Sequence, residues 1–173
     1  MRYRAQLVLT ALLAAVLIFC SCSGQEQNPL NAFLGDYSYS APAVCMVYER
    51  VEDELDDDGN PCYGIQYREV TDLEGLMGSC NTFLIYFYSS MSNEGAEVTA
   101  SMEDVAQLYN GKLTVLMLDA MEYRDLMEKY DIEAVPEFVL VRAGQNDQVF
   151  NSSSYGYWTV NDVISWLQSN GIA

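Results

Sequence analysis

Residues 83–92 read Phe-Leu-Ile-Tyr-Phe-Tyr-Ser-Ser-Met-Ser. The six residues from Phe83 to Tyr88 are all apolar or aromatic, too few for a buried helix and rich in β-formers. They are expected to form a central strand covered on both faces. A polar turn, Ser89 to Gly95, follows, and a helical pattern begins behind it. In a strand–turn–helix unit, the turn at the carboxyl end of the strand is where chemistry is usually placed. This turn contains no cysteine.

Upstream, Val44 to Val51 and Ile65 to Val70 are strand-like runs around Asp56-Asp57-Asp58-Gly59-Asn60. Asp-Gly and Gly-Asn are strong turn signals, so the pair reads as an antiparallel hairpin. The acidic turn resembles a fragment of a calcium loop. It has no glutamate at the twelfth position, however, and Pro61 follows, so it reads as a solvated turn. Three helix starts carry the capping-box pattern of a hydroxyl residue followed three later by a carboxylate: Thr71 to Glu74, Ser101 to Asp104 and Thr159 to Asp162. The second is followed by Met102, Val105, Ala106 and Tyr109 and ends at Gly111. The last has Val160, Val163, Ile164 and Leu167 and ends at Gly171. A further helix shows the same period through Tyr123, Leu126, Met127 and Tyr130. Strand-like runs lie at Leu113 to Leu118, Glu137 to Val141 and Gln148 to Asn151. Such alternation gives an α/β sheet with helices on both faces.

The composition narrows the function. The 173-residue chain suits one domain behind a leader. Its formal charge of −17 makes nucleic acid or an anionic lipid surface a poor partner for the folded body. Histidine is absent, which removes the commonest general base and metal ligand and any Ser-His-Asp or Cys-His nucleophile. The glycines follow no phosphate-cradling spacing, and neither cofactor nor metal is expected. Trp158 and Trp166, near the last helix, read as packing residues.

At the amino terminus, Arg2 and Arg4 precede a run from Leu7 to Phe19 that is apolar apart from Thr10, and then Cys20-Ser21-Cys22. This describes a secretory signal, and the run is shorter than the roughly 20 residues that span a bilayer. Its end resembles a bacterial lipoprotein signal. Cys22 is the expected acylated residue, with Cys20 as the alternative. Residues 1–22 are thus read as the signal, 23–42 as a linker and 43–173 as the domain. Removing Arg2 and Arg4 takes the charge from −17 to −19. The domain is then expected on the outer face of a bacterial cell membrane, held by a lipid anchor, where disulfides persist.

From Ile65 to Ala173 the residues resemble a thioredoxin. Phe83 to Tyr88 is similar to the family's central strand, and Tyr109-Asn110-Gly111-Lys112-Leu113-Thr114-Val115 to its helix-to-strand passage. Tyr130-Asp131-Ile132-Glu133-Ala134-Val135-Pro136 resembles the approach to its cis-proline, and Gly144 the turn beyond. The resemblance implies a thioredoxin-like fold, a mixed central sheet flanked by helices on both faces, with an extra amino-terminal β-hairpin. It also places the family's Trp-Cys-Gly-Pro-Cys on Met91-Ser92-Asn93-Glu94-Gly95, so both redox positions, Ser92 and Gly95, are degenerate. The family's buried aspartate falls on Tyr86 and the lysine paired with it on Met117. Thiol–disulfide exchange needs a thiolate at a helix amino terminus and a second sulfur within reach. Ser92 supplies neither, and reads as a helix cap or a solvent-facing hydroxyl. Cys80 stands at the opposite end of the strand, roughly 23 Å from Ser92 at about 3.3 Å per residue.

The resemblance further implies that the Ile65 strand runs parallel to the central one, which brings Cys62 and Cys80 to one end of the sheet. A structural Cys62–Cys80 bond is expected, with Cys45 buried or free. It also implies a groove in which the backbone at Val135, before a cis Pro136, pairs with an extended peptide, lined by Tyr88, Met91 and Ser92. Three functions follow. The first is a redox-inactive module that binds an exported polypeptide or assembles with a membrane protein. The second is a thiol–disulfide oxidoreductase or isomerase using a non-standard cysteine such as Cys45. The third is a calcium-stabilised adhesion or scaffold domain using Asp56 to Asn60.

Overall fold

The computed structural model describes residues 28–79, 82–91 and 95–173. The chain divides into two units, Met1–Asn31 and Ala32–Ala173. The leader, including Cys20 and Cys22, lies outside the described residues, as do Cys80 and Ser92. No helix among the described residues is long and apolar enough to cross a membrane.

The second unit is built on a seven-stranded sheet. In chain order its strands are β1 (Leu34–Tyr37), β2 (Ala43–Leu55), β3 (Pro61–Val70), β4 (Phe83–Tyr88), β5 (Thr114–Asp119), β6 (Glu137–Val141) and β7 (Gln148–Val149). The helices are α1 (Leu73–Gly78) between β3 and β4, α2 (Gly95–Leu108) between β4 and β5, α3 (Arg124–Lys129) between β5 and β6, and α4 (Val160–Ser169) at the end. Across the sheet the order is β1-β3-β2-β5-β4-β6-β7. β4 is the central strand expected of Phe83–Tyr88: it runs parallel to β5 and antiparallel to β6, and its first five residues are buried.

Side chains of β4 alternate between two cores, as the period of two requires. Leu84 and Tyr86 join Val115 and Met117 of β5 and Phe138 and Leu140 of β6, under Met102, Val105 and Ala106 of α2 and Val163 and Leu167 of α4. Phe83, Ile85 and Phe87 face the other way, and there Tyr130, at the end of α3, meets Phe87 at 6.3 Å between ring centroids.

The hairpin forms as expected, with β2 and β3 antiparallel. The Asp56 carboxylate holds its turn by accepting the Asp58 N–H at 3.0 Å and the Asn60 N–H at 2.8 Å. Gly59 takes φ +83°, which a side chain would strain. The sequence reading left open which strand of the hairpin joins the rest of the sheet. The Ile65 strand does run parallel to β4, but β2 stands between it and β5, pairing with β5 from Ala43↔Leu118 to Met46↔Val115. The reason lies in side chains. Ala43-Val44-Cys45-Met46-Val47 is buried without interruption and suits an inner position, whereas β3 alternates and belongs further out.

Three local expectations also change. Leu34–Tyr37, read as linker, is a strand. Its run is too short and polar to show a period, and β3 supplies its pairing. The cap of α1 is Asp72, which accepts the Gly75 N–H at 2.9 Å, while the Thr71 hydroxyl donates to the Phe33 carbonyl. Ser101 starts no helix: α2 begins at Gly95, and the Ser101 hydroxyl donates back to the Glu97 carbonyl at 3.0 Å within it. At Thr159 the expected box is present, the Asp162 carboxylate accepting the Thr159 N–H at 2.8 Å.

Candidate functional site

The carboxyl ends of β4 and β5, the amino end of β2 and the start of β6 meet at one edge of the sheet. Phe87 pairs with Glu137, so the next residues along, Tyr88 at the end of β4 and Pro136 before β6, come side by side at this end of the sheet. The Val135–Pro136 peptide bond is cis, as the resemblance implied. Val135 is half-buried, and its backbone N–H and C=O enter no hydrogen bond among the described residues. Met91, beyond the strand, is 83% exposed. Of the expected groove, Tyr88, Val135 and Pro136 are therefore brought to one end of the sheet.

Two carboxylates at this end escaped the sequence reading. Glu137 follows the cis-proline and is buried. Its Oε2 accepts the Ser152 N–H at 2.8 Å and its Oε1 the Phe138 N–H at 2.9 Å, while the Ser152 hydroxyl lies within bonding distance of Glu137 and of the Pro136 carbonyl. This clamp fixes the backbone behind the proline. Asp119 ends β5 opposite Tyr88 and is also buried. Each was legible as a lone carboxylate inside or ending an apolar strand, a position that requires a partner or a purpose.

Tyr86 and Met117 pack among apolar and aromatic groups. Tyr86 and Met117, expected at the family's aspartate and lysine, do stand opposite each other across β4 and β5. Tyr86 is fully buried and stacks on Phe138 with centroids 5.4 Å apart. Phe138 in turn meets Phe150 and Trp158 edge-on. Burial raises the Tyr86 phenol, with an opposing contribution from a hydrogen bond with Thr99, so the group holds its proton across the physiological range.

The remaining sulfurs do not compensate. Cys45 is a free thiol with no exposed surface, and burial pushes it up to about 12. As the lone nucleophile of an oxidoreductase it would be protonated and unreachable. Cys62 is a half-buried free thiol. Cys45 stands opposite Arg68, six residues along β3 from Cys62, which separates the two by roughly 20 Å. Cys80, the expected disulfide partner of Cys62, lies outside the described residues.

No group of three or more Cys, Asp or Glu side chains that could hold a metal ion occurs among the described residues. The Asp56 carboxylate is engaged by its own turn, and the Asn60 N–H holds it below the usual carboxylate range.

The chain matches the thioredoxin family over residues 72–167, more than half its length, and belongs to that family. It is 24% identical over 88 residues to thioredoxin-1 of Drosophila yakuba, covering 50% of this chain and 82% of that one. To thioredoxin-1 of Drosophila melanogaster it is 29% identical over 56 residues, or 32% of this chain, and spans about half that protein's length (52%). Among solved structures, the first thioredoxin domain of mouse protein disulfide-isomerase A4 overlaps 56% of this chain and 67% of that domain, at 17% identity and a TM-score of 0.46. The Trx4 domain of ERdj5 overlaps 53% of this chain and 80% of that one, at 14% identity and a TM-score of 0.44. The family assignment rests on the match over residues 72–167.

Proposed function

We propose that this chain is a redox-inactive member of the family. It binds an extended polypeptide by pairing with the backbone at Val135, and it is held by a lipid on Cys22 at the outer face of a bacterial membrane. The observation that carries the binding reading is the N–H and C=O of Val135 beside the cis-proline at the end of the sheet, which are unpaired among the described residues. Backbone groups left open in this way are what strand addition uses, and removing sulfur from the neighbouring turn leaves them in place. The tether is inferred from the basic start, the apolar run and Cys20-Ser21-Cys22. The partner is an exported polypeptide or a membrane protein displayed on the same face.

The test is a photoreactive residue at Val135 in the native host, compared with the same residue at Asp57 in the hairpin turn. A polypeptide captured from Val135 and not from Asp57 supports the reading. Equal capture, or none from a protein shown to be displayed at the surface, refutes it. Labelling with radioactive palmitate, lost in Cys22→Ser, tests the anchor separately.

A further inference from the structure

Past the start of β5 the β2–β3 hairpin continues as a two-stranded ribbon. β5 covers β2 only from Ala43 to Met46, and β1 covers β3 only from Arg68 to Val70. β2 and β3 nevertheless stay paired out to Leu55 and Pro61. The register fixes which backbone groups of the ribbon are open. The Pro42 carbonyl accepts the Asp119 N–H at 2.8 Å, so the even-numbered residues here direct N–H and C=O toward the β5 side and the odd-numbered ones toward β3. Val44 and Met46 meet β5 there. The backbone groups of Tyr48 and Arg50 that point the same way have no hydrogen-bond partner among the described residues. A two-stranded ribbon in water is only marginally stable by itself, and a third strand completes it.

The side chains beside this edge combine an aromatic stripe with a strong negative charge. Met46 and Tyr67 are buried opposite each other, and Ile65 packs against the same core. The stripe continues outward through Tyr48 to Tyr63, whose rings lie 6.3 Å apart, and Tyr63 is 58% exposed. Between Val47 and Gln66 stand seven acidic residues and one basic residue, Arg50. Glu49 is paired with Arg68. Glu52, Asp53 and Glu54 are exposed and have no ion pair among the described residues. β3 offers the poorer edge, since Pro61 has no N–H to donate.

We propose that the open edge of β2, from Tyr48 to Glu52, docks a basic strand of a partner protein. Charge decides the occupant. A second copy of this chain would set seven acidic residues against seven, which opposes self-pairing. A strand carrying lysine or arginine meets opposite charge and lays its apolar side chains over Tyr48 and Tyr63. Asp53, at φ +59° within the register shift after Arg50, ends the straight run of the edge and so limits the pairing at its far side. This edge lies at the opposite end of β2 from Val135, and the proposal does not rest on binding there.

The probe is a fluorescein-labelled octapeptide alternating lysine with valine, with its glutamate counterpart as control, titrated into the ¹⁵N-labelled protein. The lysine peptide is expected to bind at least about tenfold more tightly than the glutamate peptide and to slow hydrogen exchange at the Tyr48 and Arg50 amides. Two variants of equal charge separate strand addition from general attraction. Arg50→Gln keeps the outward N–H and should retain binding. Arg50→Pro removes that N–H without taking a bond from the β3 ladder, and should weaken binding at least about tenfold. Should Arg50→Pro fail to fold, the slowed exchange in the unaltered protein still decides the matter.

Equal binding of the two peptides, binding of neither, or unchanged exchange at Tyr48 and Arg50 would overturn the proposal. Slowed exchange at these amides in the free protein as its concentration rises would overturn it too, in favour of a second copy. Shifts confined to Ala134 and Val135 would assign the peptide to the other end of β2, against this proposal and for the Val135 reading.

Discussion

Cys45 offers the sharpest quantitative test, because its chemistry follows from burial alone. It lies in β2 between Leu116 of β5 and Arg68 of β3, with no exposed surface. Burial moves the thiol from an ordinary value of 9.0 to about 12. At pH 8 an ordinary thiol is ionised about one part in ten, and Cys45 about one part in ten thousand, a factor of about a thousand from three pKa units. Only the thiolate reacts with iodoacetamide, so alkylation of Cys45 should be at least about a thousandfold slower in the folded protein than in the unfolded one, and slower than at half-buried Cys62. In 6 M guanidinium the two should label alike. The assay is pulsed alkylation at pH 8, quenching, digestion and mass spectrometry of the cysteine peptides. Labelling of Cys45 in the native protein within tenfold of its rate in the unfolded one would refute the reasoning and revive a thiol enzyme. The same shift has a stability consequence. The folded-state pKa lies above the unfolded value, so the contribution is fully present below pH 9 and is lost as pH rises through 9 toward 12, in total about 4 kcal/mol. Cys45→Ala should remove that part of the alkaline destabilisation, read as a flatter dependence of urea midpoint on pH.

Phe138→Ala removes a fully buried ring in contact with Tyr86, Phe150 and Trp158. It should cost about 4 kcal/mol in urea unfolding, and a loss below about 1.5 kcal/mol would contradict the aromatic core. Gly59→Ala forces a side chain to φ +83° in otherwise open space. It should cost about 1 kcal/mol through strain alone, with Gly59→Asn recovering part of the loss as a left-handed-tolerant residue. Ser152→Ala takes a hydroxyl from the Glu137–Pro136 clamp. About 1–2 kcal/mol should go, and an unchanged melting temperature would show that the clamp does not hold the proline backbone.

Much of the fold was readable because its signals are dense and local. Phe83 to Tyr88 is an uninterrupted apolar run, Asp56 to Asn60 is a turn in its chemistry alone, and Thr159 with Asp162 forms the expected cap. What escaped depended on partners distant in sequence. β1 has four residues and no period of its own; its place comes from β3. Ser101 and Asp104 have capping spacing, but the helix had already begun at Gly95, so the hydroxyl turned to a carbonyl one turn back. The inner place of β2 beside β5 was written in burial rather than in strand content, since Ala43 to Val47 has no polar face to give to solvent. At the site, the resemblance located the cis-proline and the Tyr86–Met117 replacement by residue order. Asp119 and Glu137 needed the structure, because one-dimensional reading shows a carboxylate ending a strand but not whether its oxygens find donors.

The most direct measurement of the central claim is turnover of dithiothreitol-driven insulin reduction, followed by turbidity, with a family thioredoxin as the positive control. The account predicts a rate indistinguishable from dithiothreitol alone for the intact protein and for Cys45→Ser and Cys62→Ser alike. A rate clearly above that background, abolished by either substitution, would contradict it.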